Sequence, residues 1–222
     1  MKIFSYLRYF IYLGFNWNLR IAWYIINSEI NGEKKYGINT TGADELQHLE
    51  KKGIDIEHTT IYMPVNYLML EELFTNLQLK NFNHFLDIGS GKGRAMCVAA
   101  YYGASNVSGI DLSAKLCTDA KKNLAIVQQR FPDLRYTLIN NDAFYYEIPA
   151  NTDCIFLFNP FDEVIMSGVA ENLLMSYEKN PRPITIIYAN PVCKSLFADI
   201  GFEEIFHIQR LKYLEAIIMR KM

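Results

Sequence analysis

Residues of the types that build metal centres or disulfide frameworks are few in this sequence. Its four cysteines, at positions 97, 117, 154 and 193, lie far apart and form no C-x-x-C pair. Reduced thiols in the cytosol are therefore the simplest interpretation, and no zinc site is expected. The four histidines are equally scattered and show no H-E-x-x-H spacing. The sequence thus predicts a cytoplasmic protein that binds no metal ion.

The sequence also lacks an excess of basic residues and a long apolar run. The chain has 22 basic and 24 acidic residues, a formal net charge of −2. Nucleic acid is therefore disfavoured as a partner, since phosphate backbones are bound through basic surfaces. Gly14, Asn16, Asn18 and Arg20 interrupt the apolar N-terminal segment, whereas a spanning helix needs roughly 20 mostly apolar residues. The chain is expected to be soluble, with neither a transmembrane segment nor a signal peptide.

The N-terminal segment has the apolar periodicity of two helices. These helices are predicted over residues 3–13 and 19–30, and Asn27, Asn31 and Gly32 are expected to end the second one. They could cover the domain or an acceptor pocket, form a dimer contact, or lie on a membrane surface as a peripheral contact of residues 1–30. Packing on the protein itself is the favoured interpretation, because the segment carries few basic residues.

Beyond Pro64, strand and helix patterns alternate. Helices are predicted over 65–79, 92–102, 113–130, 162–179 and 192–199, and strands over 84–88, 106–111, 135–140, 153–159 and 183–190. Such alternation indicates β-α-β units and a mainly parallel sheet covered on both faces. Residues 202–221 are typical of two consecutive strands, which implies an antiparallel hairpin at one edge. The predicted fold is a doubly wound α/β domain over 61–222, preceded by a helical extension or lid over 1–60.

The strongest motif is FLDIGSGKGR, residues 85–94. It is a short strand followed by a glycine-rich turn and the start of a helix. Gly89 permits the tight turn, Gly91 allows a ligand to approach the backbone, and Gly93 permits the helix to pack close to the strand. The spacing is G-x-G-x-G, whereas a dinucleotide-binding turn has G-x-G-x-x-G. Asp87 would repel a pyrophosphate but suits a ligand with an ammonium group and no phosphate.

At fold level, residues 60–222 resemble the class I S-adenosylmethionine-dependent methyltransferases, whose Rossmann-like seven-stranded sheet ends in an antiparallel hairpin. The most specific part of the resemblance is the motif Asp87–Gly93. The resemblance implies S-adenosylmethionine as the cofactor. It also implies contacts from the whole turn, which comprises Asp87, Ile88, Gly89, Ser90, Gly91, Lys92 and Gly93.

Two further strand ends carry acids at positions where the cofactor is expected. Asp111 ends the second strand about 20 residues after the turn, where a ribose-binding acid belongs, and Leu112 follows it. Asp111 could instead cap the next helix, although Ser113 can take that role. After the third strand, the family places an acid at the adenine amine. Asn141, Asp142 and Ala143 match that position, and a simple turn is the alternative interpretation.

The fourth strand ends in Asn159-Pro160-Phe161, which is similar to the N-P-P-[YF] motif of methyltransferases that act on amino groups, with one proline missing. Asn159 could also contact the cofactor and would orient an acceptor amine, while Phe161 would hold developing positive charge against its ring. The alternative is an Asn-Pro turn with Phe161 in the core. Asn159, Pro160 and Phe161 are therefore candidate catalytic residues.

Upstream residues complete the predicted site. Some protein-lysine methyltransferases of this fold carry a Tyr-x-Pro just before the first core helix, and Tyr62 and Pro64 match it, although Pro64 could simply start the helix. Thr40 and Thr41 lie in a loop, GINTTG, whose composition suits a lid. Tyr62 is also the one general base that the sequence suggests.

These motifs predict an N-methyltransferase whose acceptor is an amino group of a protein or of a small molecule. Two alternatives stay open at this point. One is an O- or C-methyltransferase of a small metabolite, which would need a general base near the methyl group. The other is a nucleotide-binding module without methyl transfer, against which the turn spacing and Asp87 argue.

Overall fold

The computed structural model describes residues 2–16, 18–41, 64–158, 161–212 and 214–222. Its strands are β1 Phe85–Ile88, β2 Asn106–Asp111, β3 Arg135–Asn140, β4 Cys154–Phe158, β5 Ile184–Ala189, β6 Glu203–Arg210 and β7 Leu214–Lys221. Its α-helices are α1 Lys2–Asn16, α2 Leu19–Tyr36, α3 Tyr67–Leu77, α4 Arg94–Tyr101, α5 Ala114–Arg130, α6 Glu163–Lys179 and α7 Lys194–Asp199. Short 3-10 turns span Leu79–Asn81 and Ala143–Tyr145.

The seven strands form one sheet in the order β3-β2-β1-β4-β5-β7-β6. The first five strands are parallel to one another, while β7 runs antiparallel to β5 and β6. The chain moves outward from β1 to β3 and then returns to the other side of β1 as β4. This reversal makes the β1–β4 junction the topological switch point, where open α/β sheets bind their ligands. The predicted doubly wound fold with a C-terminal antiparallel hairpin is confirmed.

Alternating side chains of the central strands fill two core layers. Phe85 and Phe156 face the layer that contains Leu70, Met96 and Leu124 of α3, α4 and α5. Their neighbours Leu86 and Ile155 face the opposite layer, which contains side chains of α6 and α7 such as Met166, Leu173 and Phe197. Burial on both faces explains why β4 and β5 are apolar along nearly their whole length.

The second N-terminal helix is longer than the sequence pattern predicts. The prediction that Asn27, Asn31 and Gly32 end it is wrong, because α2 continues to Tyr36 and is capped by Gly37 at φ 71°. The ring of Tyr67 packs against Gly32, where an added Cβ would stand 2.2 Å from a ring carbon. Gly32 therefore serves as a packing surface for α3, and this tertiary contact keeps the helix intact through a residue of low helix propensity.

The two N-terminal helices pack against each other around Tyr9, Leu13, Ile21 and Ile25. One face of each helix is thus packed within the protein, as the favoured interpretation predicts. Among the residues described, no helix is both long enough and apolar enough to span a bilayer.

Candidate active site

The turn between β1 and α4 depends on glycine at three positions. Gly89, Gly91 and Gly93 have φ angles of 80°, 52° and 75°, a region that residues with a Cβ rarely adopt. A Cβ on Gly93 would also lie 3.1 Å from the Cβ of Ala120. Gly93 therefore lets α5 pack close to the turn. Its role is helix packing, as predicted, but the element that packs against it is α5 and not the strand.

The turn is fastened to the end of β2. The backbone N–H groups of Gly89 and Ser90 both donate to the carbonyl oxygen of Ile110, at 2.9 Å each. Gly109 makes this approach possible, since a Cβ there would lie 2.7 Å from the Ser90 hydroxyl. Gly109 was not predicted as a site residue, because it lies within a strand pattern, although glycine inside a strand often marks a close approach.

Asp111 holds the turn from the side. One of its carboxylate oxygens accepts the N–H of Gly91 at 2.8 Å, and the other accepts the N–H of Ser113, also at 2.8 Å. Ser113 caps α5 by accepting the N–H of Leu116. The prediction that Ser113 is able to cap this helix is confirmed. Asp111 lies beside the turn and binds the Gly91 N–H.

Asp87, which is buried, and Asp111, which is half-buried, form an acidic pair at the ends of adjacent strands. Asp87 is 3% exposed. Burial raises its pKa well above the ordinary value, and the negative charge of Asp111 raises it further. Burial also raises the pKa of Asp111, partly offset by the N–H groups of Ser113 and Gly91. A cationic ligand would relieve both penalties, so the pair fits the ammonium and sulfonium charges of S-adenosylmethionine.

The segment that follows α2 forms a wall beside the turn. The side-chain amide of Asn123, in α5, accepts the N–H of Asn39 at 3.0 Å and donates to the carbonyl oxygens of Asn39 and Lys92. The ammonium group of Lys92 donates to the carbonyl oxygen of Thr41. Thr40 and Thr41 thus lie beside the glycine turn, and a lid role for their segment stays a prediction. Asn123, which fastens this segment, was not predicted from the sequence.

A buried polar network supports this wall. The guanidinium of Arg94 donates to the Thr40 hydroxyl at 2.8 Å, to the Val65 carbonyl oxygen at 2.7 Å and to both carboxylate oxygens of Glu29. It also lies 4.0 Å from the centre of the Tyr67 ring. Arg94 and Glu29 are almost completely buried, so the pair must be satisfied internally.

Glu33 holds the same segment by its backbone. Its carboxylate accepts the N–H groups of Thr40 and Thr41, at 2.9 Å each, and the hydroxyls of Thr41 and Tyr6. Burial acts to raise the pKa of Glu33, but these hydrogen bonds outweigh it and lower the pKa below its ordinary value. Glu33 is therefore a charged anchor for residues 40 and 41.

The end of β3 is arranged around Asn140 and Asp142. The Asn140 amide donates to the carbonyl oxygens of Asp111 and Leu112, which joins the ends of β2 and β3. Asp142 accepts the N–H of Phe144 and caps the short 3-10 turn, while Asn141 is exposed and Ala143 is buried. Asp142 thus has the turn role that the alternative interpretation gives it. Its contact with adenine stays a prediction.

The remaining predicted residues lie around β4 and before α3. Asn159, Pro160 and Tyr62 lie outside the described residues. Phe161 is half-buried and packs against the core layer of α6 and α7. Pro64 is buried two residues before Asn66, the residue that caps α3, so it does not occupy the first helical position.

The strand order and the glycine turn define a class I methyltransferase fold, and solved structures share it. The ribosomal protein L11 methylase from Lactobacillus delbrueckii subsp. bulgaricus is 18% identical, with a TM-score of 0.52 over 72% of this chain and 90% of that one. The StiE O-MT structure is 11% identical, with a TM-score of 0.54 over 70% of this chain and 73% of that one. No protein with a curated description matches the sequence.

The model of one protein family, described as histone methylation protein DOT1, matches residues 55–215, which is more than half of the chain. The chain therefore belongs to the DOT1 family. It is an S-adenosylmethionine-dependent methyltransferase, and S-adenosylmethionine is its cofactor. The predictions of enzyme class and cofactor are confirmed.

Proposed function

We propose that the enzyme N-methylates an amino group, with a lysine side chain of a protein as the favoured acceptor. One observation carries this proposal. Strands β1 and β4 are adjacent, parallel and in register, with Ile88 opposite Leu157. The glycine turn and the Asn-Pro-Phe sequence therefore follow the sheet at the same edge and at the switch point. Membership of a histone methylation family supports a protein acceptor.

The cofactor would lie along the carboxyl ends of β1 to β3. Asp87 would meet the ammonium group, the backbone of residues 88–93 would line the methionine portion, and Asp111 with Leu112 would meet the ribose. Asn141, Asp142 and Ala143 would border the adenine. These roles are supported by the acidic pair of Asp87 and Asp111 and by the Asn140 link between the ends of β2 and β3.

Thr40, Thr41, Tyr62 and Pro64 would close the methionine end. The hydroxyls of Thr40 and Thr41 are already engaged by Tyr67, Glu29 and Glu33. We therefore assign these two threonines to the wall of the site, where they exclude water and do not hydrogen-bond to the cofactor through their hydroxyls.

Bound S-adenosylmethionine supplies an activated methyl group, so the protein's task is to position and desolvate the acceptor. A lysine amine must lose its proton before it can attack. The Asn159 amide oxygen would accept an N–H of the neutral amine and direct its lone pair. The ring of Phe161 would stabilise the positive charge that develops on nitrogen. No separate general base is required if the amine binds neutral.

Methyl transfer from labelled cofactor to core histones, to a bacterial protein extract and to small amines tests the proposal. An N-methyl product resists mild base, whereas a carboxyl methyl ester is released by it. We expect base-stable label on lysine, and we expect Asn159→Ala to reduce kcat at least tenfold with little change in the KM for the cofactor. Asn76→Ala, on the exposed face of α3, is the matched control.

Two results would contradict this assignment. Label released by base, or found on the oxygen or carbon of a small metabolite, would favour the O- or C-methyltransferase alternative with Tyr62 as the base. Full turnover by Asn159→Ala on an identified amine would remove the role of Asn159. We retain a cytoplasmic location and the division into residues 1–60 and 61–222 as predictions.

A further inference from the structure

The outward faces of α1 and α2 are apolar and exposed. Leu7, Ile11 and Phe15 follow one another at i, i+4 spacing along α1, and Leu19 and Trp23 do so along α2. Phe15 is 88% exposed, and Leu19 and Trp23 are each 68% exposed. We call these five residues the outer stripe. Exposed apolar side chains at such spacing mark an interaction surface.

The charged residues in the first part of the helical pair have one sign. Residues 1–28 contain Lys2, Arg8 and Arg20 and no acidic residue, whereas the rest of the chain has 19 basic and 24 acidic residues. The side chains of Arg8 and Arg20 are exposed. Leu211, in the β6–β7 turn, packs against the core of the helical pair, and the exposed Lys212 follows it. The first part of the helical pair therefore carries few charges, but all of them are basic, whereas the rest of the chain has an excess of acidic residues.

The first acidic residues of the chain do not weaken this field at the surface. Glu29 is buried and paired with Arg94. Glu33 is 5% exposed and bound by the Thr40 and Thr41 N–H groups. Both negative charges are therefore buried and paired within the protein.

We propose that this helical pair binds the surface of an anionic phospholipid membrane. The outer stripe enters the boundary between headgroups and acyl chains, and the exposed Arg20 and Lys212 meet the lipid phosphates. Amphipathic helices with aromatic and aliphatic side chains on one face and basic side chains beside them bind membranes in this way. A symmetric dimer through the same face is less favourable, because it would bring equal basic charges together.

Vesicle flotation of the full chain tests the proposal. The vesicles are phosphatidylcholine alone and phosphatidylcholine mixed with phosphatidylglycerol. We expect binding to the anionic vesicles that weakens as salt rises. Both tryptophans of the chain stand at positions 17 and 23, so a blue shift of their emission on binding should report insertion directly.

Two variants separate the apolar and charged contributions. Phe15→Glu/Trp23→Glu should abolish flotation, while Ile126→Glu, at a 46% exposed apolar position of α5, should not change it. Arg20→Gln/Lys212→Gln should weaken binding about 30-fold. The charge variant leaves every apolar contact in place, so it tests the proposal even if the glutamate variant fails to fold.

Several outcomes would overturn the inference. These are absence of binding to anionic vesicles, equal binding to neutral vesicles, or retention of binding by the folded glutamate variant. A concentration-dependent dimer in sedimentation, lost in Phe15→Glu/Trp23→Glu without any vesicle binding by the wild-type chain, would show that the stripe joins two copies of the protein. None of these results depends on the identity of the methyl acceptor.

Discussion

Arg94 and Glu29 form a buried ion pair with two hydrogen bonds, one of them 2.6 Å between Nη2 and Oε2. Arg94 is the residue directly after the last glycine of the turn, and Glu29 lies in α2. The pair therefore joins the candidate cofactor site to the N-terminal helices. Removing one partner of a buried pair leaves the other charge uncompensated.

Arg94→Met is expected to lower the free energy of unfolding by about 3–5 kcal/mol, because Glu29 would remain buried without its partner. It should also weaken binding of S-adenosylhomocysteine, since Thr40 loses a tether. Thermal unfolding and calorimetry measure the two effects. The control is Lys35→Met, which breaks a pair with Glu71 that is 53% exposed on the lysine side and should cost about 1 kcal/mol or less. Equal losses for both variants would show that Arg94 has no special role.

The affinity for S-adenosylhomocysteine, which retains the ammonium group, should rise with pH. The pKa of Asp87 is raised well above its ordinary value in the free protein, and a cation beside it favours the ionised form. Binding should therefore release a proton, and affinity should increase as pH approaches the raised pKa from below. Calorimetry across pH should show this slope for the wild-type chain and a flat, weaker profile for Asp87→Asn. A wild-type profile that is also flat would contradict the role of Asp87.

Asp87 should also make the free protein less stable as pH rises. A carboxyl whose pKa is raised in the folded state binds more protons when folded, so its contribution is fully present below the unfolded pKa of about 3.9. That contribution is lost as pH climbs through the raised folded pKa. Asp87→Asn should therefore unfold at a higher temperature than the wild-type chain near neutral pH. A lower Tm for this variant would refute the electrostatic argument.

Asp111→Asn should weaken S-adenosylhomocysteine binding roughly tenfold to a hundredfold, since hydrogen bonds to a charged group contribute about 1.5–3 kcal/mol. An asparagine amide nitrogen facing the N–H of Gly91 would also distort the turn. Asp119→Asn in α5, where the acid pairs only with the exposed Lys122, is the matched control. Equal affinities for the two variants in calorimetry would exclude Asp111 from the site.

Alanine at two helical glycines should have opposite effects. In α2, a Cβ at Gly32 would stand 2.2 Å from the ring of the buried Tyr67, so Gly32→Ala should destabilise by about 1–3 kcal/mol through overpacking. In α1, a Cβ at Gly14 meets only the end of Leu19 at 3.3 Å. Gly14→Ala should be neutral or stabilising by up to about 1 kcal/mol through helix propensity. Chemical denaturation measures the free energy of unfolding of both variants. If Gly14→Ala were destabilised more than Gly32→Ala, the packing roles assigned to the two glycines would be wrong.

The local sequence pattern predicted most of the secondary structure, because the residues of these elements prefer the conformation that they adopt in the structure. Strand β2, with apolar residues bounded by Asn106 and Asp111, matches its predicted range. Helix α2 was predicted too short because Asn27, Asn31 and Gly32 have low helix propensity, and the packing of Tyr67 on Gly32 is not visible in the local pattern. Gly109 and Asn123 were missed for a related reason, since each acts on a segment distant in sequence.

The sequence by itself determined the class of enzyme, the doubly wound architecture and the glycine turn with Asp87, since each is written in a short local pattern of residues. Only the tertiary structure decided that α2, the segment of Thr40 and Thr41, and α5 meet at that turn through Arg94, Glu33 and Asn123. The physical reason is that buried charges and amides must find partners, and those partners lie up to 84 positions apart in the chain.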